Sequence, residues 1–444
     1  MRFERPSRNP SFPRIDPTRR ATPRSTRARR ETTVDISPHR FHASRVARAR
    51  RTSDARRSLT AHLRTAPLSP ARHSPSARDA TRRRAVAPMR YVKPKIATLH
   101  AAAAARELLE SGACAGKTVV VTGASSGIGR AFALTCARSG AALVVTLDRP
   151  SARANEAREA LRCACEEGGA EFRGVDCDLT SLASARRASA EVLAIVNARA
   201  KGGDGTIDVL ALNAGIMAAP FEATEDGYDQ QVQTNVLSHF LLTKLLAPAL
   251  GRAKDARVIS QSSLAAKQGR WLRRETFEKA PTCWEPFSWP YARNAWAVYA
   301  QTKLANLAFT EGLRQRLDAA GITNVKAIAC HPGVAATELQ VRTSENPGPL
   351  GSLVGIVPYF IKFQSAEDGA LPLLRAAFGA DVKSGDFIVP SGWFQITGPP
   401  KTIPIRSWSY ATAYLTDAGV SLAWTACERA VGERFDVRAE IRSR

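Results

Sequence analysis

Lys117-Thr118-Val119-Val120-Val121-Thr122-Gly123-Ala124-Ser125-Ser126-Gly127-Ile128-Gly129-Arg130 opens the alternation of strand-like and helix-like segments in the chain. Its first six residues are a β-branched run of strand length, and Gly127–Arg138 has the length and patterning of a helix. Between them Gly123, Gly127 and Gly129 sit where a chain must turn sharply and let another group approach its backbone. A helix opening after such a turn offers the backbone N–H groups of Ser125, Ser126, Gly127 and Ile128, with the positive end of its dipole, to an anion. The spacing predicts a strand–turn–helix unit that holds a pyrophosphate.

The alternation continues downstream. Strand-length runs occur at 142–147, 171–176, 207–212, 256–261, 325–330 and 386–389, separated by helix-length segments at 152–167, 181–198, 228–250, 298–319 and 366–378. Seven strands joined by helical crossovers predict a single Rossmann-type α/β domain over residues 116–444. It is doubly wound, with a seven-stranded, mostly parallel sheet and helices on both faces. Residues 89–115 read as an extension with a helix at His100–Glu110 stopped by Gly112.

Residues 1–88 are of another kind, with 23 arginines, no lysine, glycine or cysteine, and 6 acidic residues, so that +17 of the chain's net charge of +24 resides there. With so little apolar mass the segment cannot offset the entropy of ordering, and disorder is predicted. An Arg- and Ser-rich, acid-poor start fits a transit peptide to a chloroplast or mitochondrion. The competing reading is translated GC-rich sequence upstream of a start at Met89, which leaves a cytoplasmic protein. Arginines alone give salt-sensitive phosphate affinity without base readout, so no specific nucleic-acid partner is expected. The apolar run Gly351–Phe363 is broken by Pro358 and too short to span a bilayer, which allows peripheral membrane contact at most. The eight cysteines show neither disulfide nor metal spacing, and no metal is expected.

Asp148 and Arg149 stand at the end of the second strand, where a carboxylate suits the ribose hydroxyls of NAD and a guanidinium the 2′-phosphate of NADP. Asp178-Leu179 follows the third strand, placed either to hold adenine or, for the aspartate, to cap the next helix. Tyr299-Ala300-Gln301-Thr302-Lys303 puts a phenol and an ammonium on one helical face. A phenol of pKa about 10 needs a neighbouring cation to serve as acid and base near neutrality.

Gly123, Gly127 and Gly129, then Asn213-Ala214-Gly215, Asn235, Ser263, Tyr299 with Lys303, and Pro332-Gly333-Val334-Ala335-Ala336-Thr337 follow the order and approximate spacing of the short-chain dehydrogenase/reductase family, which the chain resembles over residues 116–435. The stretches 234–243, 303–306 and 331–334 resemble the branch that includes retinol dehydrogenases, the WW-domain oxidoreductase and protochlorophyllide reductase. The resemblance implies a proton relay beside a nicotinamide. Tyr299 exchanges the proton, and Lys303 holds the nicotinamide ribose and lowers the tyrosine pKa. Ser263 hydrogen-bonds the substrate oxygen, with Ser262 as the alternative, and Asn235 positions a water unless it is a satisfied core amide. Asn213, Ala214 and Gly215 line the adenosine and ribose side, while Pro332, Gly333 and Thr337 orient the carboxamide. His331 receives no role and reads as structural.

Three departures stand out. Leu212 replaces the first asparagine of the usual Asn-Asn-Ala-Gly. The 36-residue step from Ser263 to Tyr299 is long and holds Trp271, Trp284, Trp289 and Trp296, either a pocket wall or a surface anchor. The usual count from Gly129 puts Leu147 at the ribose, whereas matching the run Arg149–Ala154 puts Asp148 there and Arg149 at the phosphate, with one extra residue bulged into the second strand. The second register is preferred, and with it NADP(H) over NAD(H). The expected substrate is a small apolar carbonyl or alcohol, walled by Leu350–Phe360 unless that stretch is core packing or membrane contact; a homo-oligomer is compatible with the sequence. The rival function is a regulatory protein that binds pyridine nucleotide without turnover, against which the complete set Asn235, Ser263, Tyr299 and Lys303 argues.

Overall fold

The computed structural model describes residues 96–200, 202–203, 205–270, 272–279, 295–335, 363–407 and 415–443. The Arg-rich segment 1–88, Trp271, Trp284, Trp289, Thr337 and the apolar stretch 350–360 lie outside the described residues. Among the described residues, no helix is long and apolar enough to cross a membrane.

Ten strands are described: β1 (Ile96–Ala97), β2 (Thr118–Thr122), β3 (Leu143–Asp148), β4 (Glu171–Asp176), β5 (Val209–Leu212), β6 (Ala256–Gln261), β7 (Val325–Cys330), β8 (Phe363–Gln364), β9 (Asp386–Pro390) and β10 (Pro400–Pro404). Eight form one sheet in the order β10-β9-β7-β6-β5-β2-β3-β4, parallel throughout except for β10. Strand residues alternate between two apolar layers, as the two-residue period requires. Val119 and Val121 join Val144, Ile259 and Ile328 on one face, while Val120 joins Leu143, Val145 and Leu210 on the other. In the second layer Phe240 packs edge-on against Phe309, Trp424 and Phe435, at centroid distances of 5.8, 5.1 and 5.7 Å.

The helices that position the site are α1 (Ala101–Ser111), α2 (Gly127–Arg138), α3 (Ala152–Gly168), α4 (Leu182–Arg199), α5 (Gln230–Val232), α6 (Ser238–Arg252), α7 (Ala295–Ala319) and α8 (Ala366–Gly369). Strand order runs outward in both directions from the β2–β5 pair. The crevice of a doubly wound sheet opens at such a switch point, outside the carboxyl ends of the strands.

Four expectations need correction. The sheet has eight strands, not seven: β10 is an edge strand whose bounding prolines, Pro400 and Pro404, hide its signal. The predicted helix 228–250 is α5 and α6 joined by a π-helical turn at Gln233–Leu237. The predicted helix 366–378 breaks after Gly369 and resumes at Leu371–Phe378. Finally, β3 pairs with β4 in unbroken register from Leu143 to Asp148, so the second strand carries no bulge.

Candidate active site

The turn after β2 has Gly123 at φ 73° and Gly127 at φ 56°, both in the left-handed region. A Cβ on Gly123 would meet Ala214 at 2.8 Å, and one on Gly129 would lie 2.1 Å from the Gly123 carbonyl oxygen. Asn213 straps the turn by donating Nδ2 to the carbonyls of Thr122 (2.9 Å) and Gly123 (3.1 Å). Ser126 stands at the N-cap of α2 without a side-chain cap, so among the described residues no side chain caps the first N–H groups of that helix. An uncapped helix start over a glycine turn fits the pyrophosphate of a dinucleotide.

Asp148 closes β3 and is buried; its Oδ1 accepts the backbone N–H of Ser125 at 2.8 Å. Burial raises its carboxyl above the usual range, against the pull of that hydrogen bond. The carboxylate is thus partly committed to the phosphate turn, while Arg149 beside it is exposed. Asp178 accepts from the backbone and hydroxyl of Thr180, closing a local turn, and the cap of α4 is Ser181. Leu179 is buried, and its carbonyl accepts from Ser238.

The structure brings Tyr299, Lys303, Ser263 and Asn235 together. Tyr299 is buried near the start of α7, edge-on to Trp296 at 6.2 Å, with the Ser263 side chain beside its hydroxyl. Burial pushes the phenol up to about 12, opposed by the bond to Ser263. Lys303 donates Nζ to the Gln261 carbonyl at 2.9 Å, and that nitrogen lies 5.7 Å from the Tyr299 ring centroid. Burial lowers its ammonium to about 8. The lowering of the tyrosine pKa expected from Lys303 does not outweigh burial in this arrangement: the ammonium is engaged by Gln261, and desolvation of the phenol prevails.

Ser262 donates its hydroxyl to the Lys303 carbonyl at 2.8 Å and is buried, which leaves half-buried Ser263 as the serine on Tyr299. Asn235 lies in the π turn, fully buried. Its amide accepts from the Ile216 N–H and donates to the Ile216 carbonyl, both at 2.9 Å, and donates to Thr302 at 3.0 Å. It is a satisfied core amide, and it also faces the site: a Cβ on Gly215 would lie 3.2 Å from its Oδ1 and 3.3 Å from Lys303 Nζ.

On the other rim, His331 accepts the Gly333 N–H through Nδ1 at 3.0 Å, and its Nε2 lies 3.3 Å from Gln395 Oε1. Burial brings the imidazole down to about 3, so it is neutral and structural. Gly333 has φ 68°, and Val334 donates to the Ile396 carbonyl at 2.8 Å. Sequence reasoning missed His239. It is buried and neutral, held down to about 3 by burial, with Nδ1 at 3.2 Å from the Asn235 carbonyl and Nε2 at 3.0 Å from Thr122 Oγ1. Thr122 in turn accepts from the N–H groups of Asn213 and Ala214, each at 3.0 Å, so one imidazole links the phosphate turn, the Asn-Ala-Gly segment and the π turn.

Comparison with known proteins agrees with this architecture. The family profile of the short chain dehydrogenases matches residues 117–273. Retinol dehydrogenase 13 of Homo sapiens is 33% identical over 296 residues, 64% of this chain and 81% of that one. Retinol dehydrogenase 14 of Mus musculus is 36% identical over 278 residues, 60% of this chain and 75% of that one. A crystal structure of a protein from Mycobacterium Paratuberculosis superposes with a TM-score of 0.51 at 30% identity, covering 72% of this chain and 95% of that one. The fold and the site define an NAD(P)-dependent oxidoreductase. The chain belongs to the short-chain dehydrogenase/reductase family, in its retinol dehydrogenase-like branch.

Proposed function

We propose that the chain interconverts a carbonyl and an alcohol on a small, largely apolar substrate, with NADP(H) as the preferred coenzyme and NAD(H) as the second. The observation that carries this reading is the convergence of buried Tyr299, the Ser263 side chain beside its hydroxyl, and Lys303 Nζ 5.7 Å from the phenol ring. The nicotinamide, when bound, supplies or takes the hydride. Gly123, the Ser125 hydroxyl and the N–H groups from Ser126 to Gly129 hold the pyrophosphate, the Ser125 N–H being taken by Asp148, and Asn213, Ala214 and Gly215 hold the adenosine and ribose side. Pro332 and Gly333, with Thr337, hold the carboxamide. Asp148 and Leu179 shape the adenosine end, and Arg149 takes the 2′-phosphate.

In reduction, Tyr299 gives its proton to the substrate oxygen as charge develops there, and Ser263 donates a hydrogen bond to the same atom. A phenol held up at about 12 is in the form this step needs. The ammonium of Lys303 stabilises the phenolate left behind, and Asn235 holds the turn through which solvent resupplies the proton. Oxidation runs the same steps in reverse and must begin from the phenolate, the costlier form in a buried site. Two observations support an apolar substrate: the Trp296 ring stands beside Tyr299, and the relatives are named for retinol, an apolar alcohol.

The test is coenzyme oxidation by the full chain with NADPH and NADH, against retinal-like, steroid and short polar carbonyls. Turnover of the apolar compounds with NADPH is expected. Preference for the short polar ones, or no turnover of any, would overturn the reading.

A further inference from the structure

The extension before the dehydrogenase core is tied to the neighbourhood of the site by a buried carboxylate and a short strand pairing. Asp368, in α8, is 2% exposed and accepts three backbone N–H groups from the segment that starts α1: Leu99 on Oδ2 at 2.6 Å, and His100 and Ala101 on Oδ1 at 3.0 and 2.8 Å. His100, at the N-cap of α1, makes no side-chain cap, so Asp368 supplies the cap from 268 residues away. Beside these bonds, β1 pairs in parallel with β8.

The same short segment reaches both rims of the coenzyme crevice. Gln364 donates its N–H to the Val334 carbonyl at 3.3 Å and its amide to the Pro332 carbonyl, and Ala335 forms an isolated bridge with Gln364. Gly369, next to Asp368, has no room for a side chain: a Cβ there would meet Ala335 Cβ at 2.7 Å and Ile128 Cγ1 at 3.4 Å. Ile128 belongs to the phosphate turn and Ala335 to the opposite loop. The turn carrying Asp368 is therefore wedged between the two backbone loops that would grip the pyrophosphate and the nicotinamide end of a dinucleotide.

We propose that Asp368 is a positioning residue for the coenzyme site, and that residues 96–101 act through it as a brace fixing the phosphate turn and the 331–335 loop at binding separation. The inference rests on the reading of those two loops as coenzyme loops. Pre-set loops do not have to be ordered when a ligand arrives, so the brace acts on affinity more than on the chemical step. A carboxylate that merely capped α1 would stabilise the extension and leave the crevice unchanged.

Full-length Asp368→Ala and Asp368→Asn separate these cases by hydrogen exchange without coenzyme and by titration with NADP+. In Asp368→Ala, exchange at residues 123–129 and 331–335 is expected to accelerate about tenfold, and the Kd for NADP+ to rise about tenfold, with turnover at saturation little changed. Asp368→Asn retains the Oδ1 acceptor for His100 and Ala101, so it should show a smaller loss of the same kind, and it serves alone if the alanine variant does not fold. Exchange and Kd within about twofold of wild type, with protection lost only at 99–111, would reduce Asp368 to a helix cap and overturn the proposal. The wild-type chain separates the two readings. If NADP+ fails to protect residues 123–129 and 331–335 there, the assignment of the coenzyme loops falls, while faster exchange of both loops in the variants still supports the brace.

Discussion

A Cβ on Gly129 would fall 2.4 Å from Nδ2 of Asn213, because hydrogen bonds to the Thr122 and Gly123 carbonyls draw that amide over the phosphate turn. The end of β5 thus fixes the shape of the loop after β2, and the two motifs act as one device.

Gly129→Ala is expected to abolish measurable NADP+ binding, because the methyl group meets backbone rather than a side chain that can move aside. Asn213→Ala leaves two carbonyls without that donor and should cost about 1–3 kcal/mol. Calorimetric titration and the melting temperature read both. Normal nucleotide affinity in Gly129→Ala would show that the turn does not hold the pyrophosphate.

Coenzyme choice turns on neighbours with different surroundings. Arg149 is exposed and Asp148 is tied to Ser125 N–H, so Arg149→Ala should raise the KM for NADPH about tenfold and leave NADH within about twofold. Asp148→Ala should weaken both coenzymes, because it releases the phosphate turn. Equal losses for the two coenzymes in Arg149→Ala would remove the arginine from the phosphate.

The parallel core was legible because its strands are buried on both faces and read as continuous apolar runs, as Val119–Val121 does. So were the glycine turn and the Tyr299–Lys303 helix, whose residue types are demanded by local geometry. What escaped depends on distant partners. The π turn at Asn235 is set by packing, the His239 link by atoms 117 residues apart, and β10 by an edge whose prolines contradict strand propensity. The direction of the Tyr299 shift escaped for the same reason, since burial cannot be counted from sequence.

Lys303 gives the site a pH signature. Reductive kcat/KM, which reports groups of the free enzyme, is expected to be flat below and to fall as pH rises through about 8, where the ammonium is lost. Lys303→Arg keeps a permanent charge and should erase the inflection. Stability moves oppositely: the folded lysine binds its proton less tightly than the ordinary 10.5, so its penalty is full below about 8 and relieved as pH rises from there towards 10.5. An unchanged inflection in Lys303→Arg would assign it to another group.

Among the described residues of the long insertion, Trp296 stands edge-on to the phenol. Trp296→Ala should raise the KM for bulky apolar carbonyls about tenfold and leave short ones within about twofold, in line with lost apolar burial. Equal changes across a chain-length series would make it a support for Tyr299 rather than part of the pocket wall.

The most direct test of the central claim is Tyr299→Phe in the full chain, with NADP+ affinity and single-turnover reduction measured on the same preparation. The account predicts affinity within about twofold of wild type and turnover reduced by at least about a hundredfold, the scale of a lost proton donor. Turnover retained at the wild-type rate would contradict it, because the Tyr299 hydroxyl would then not carry the proton.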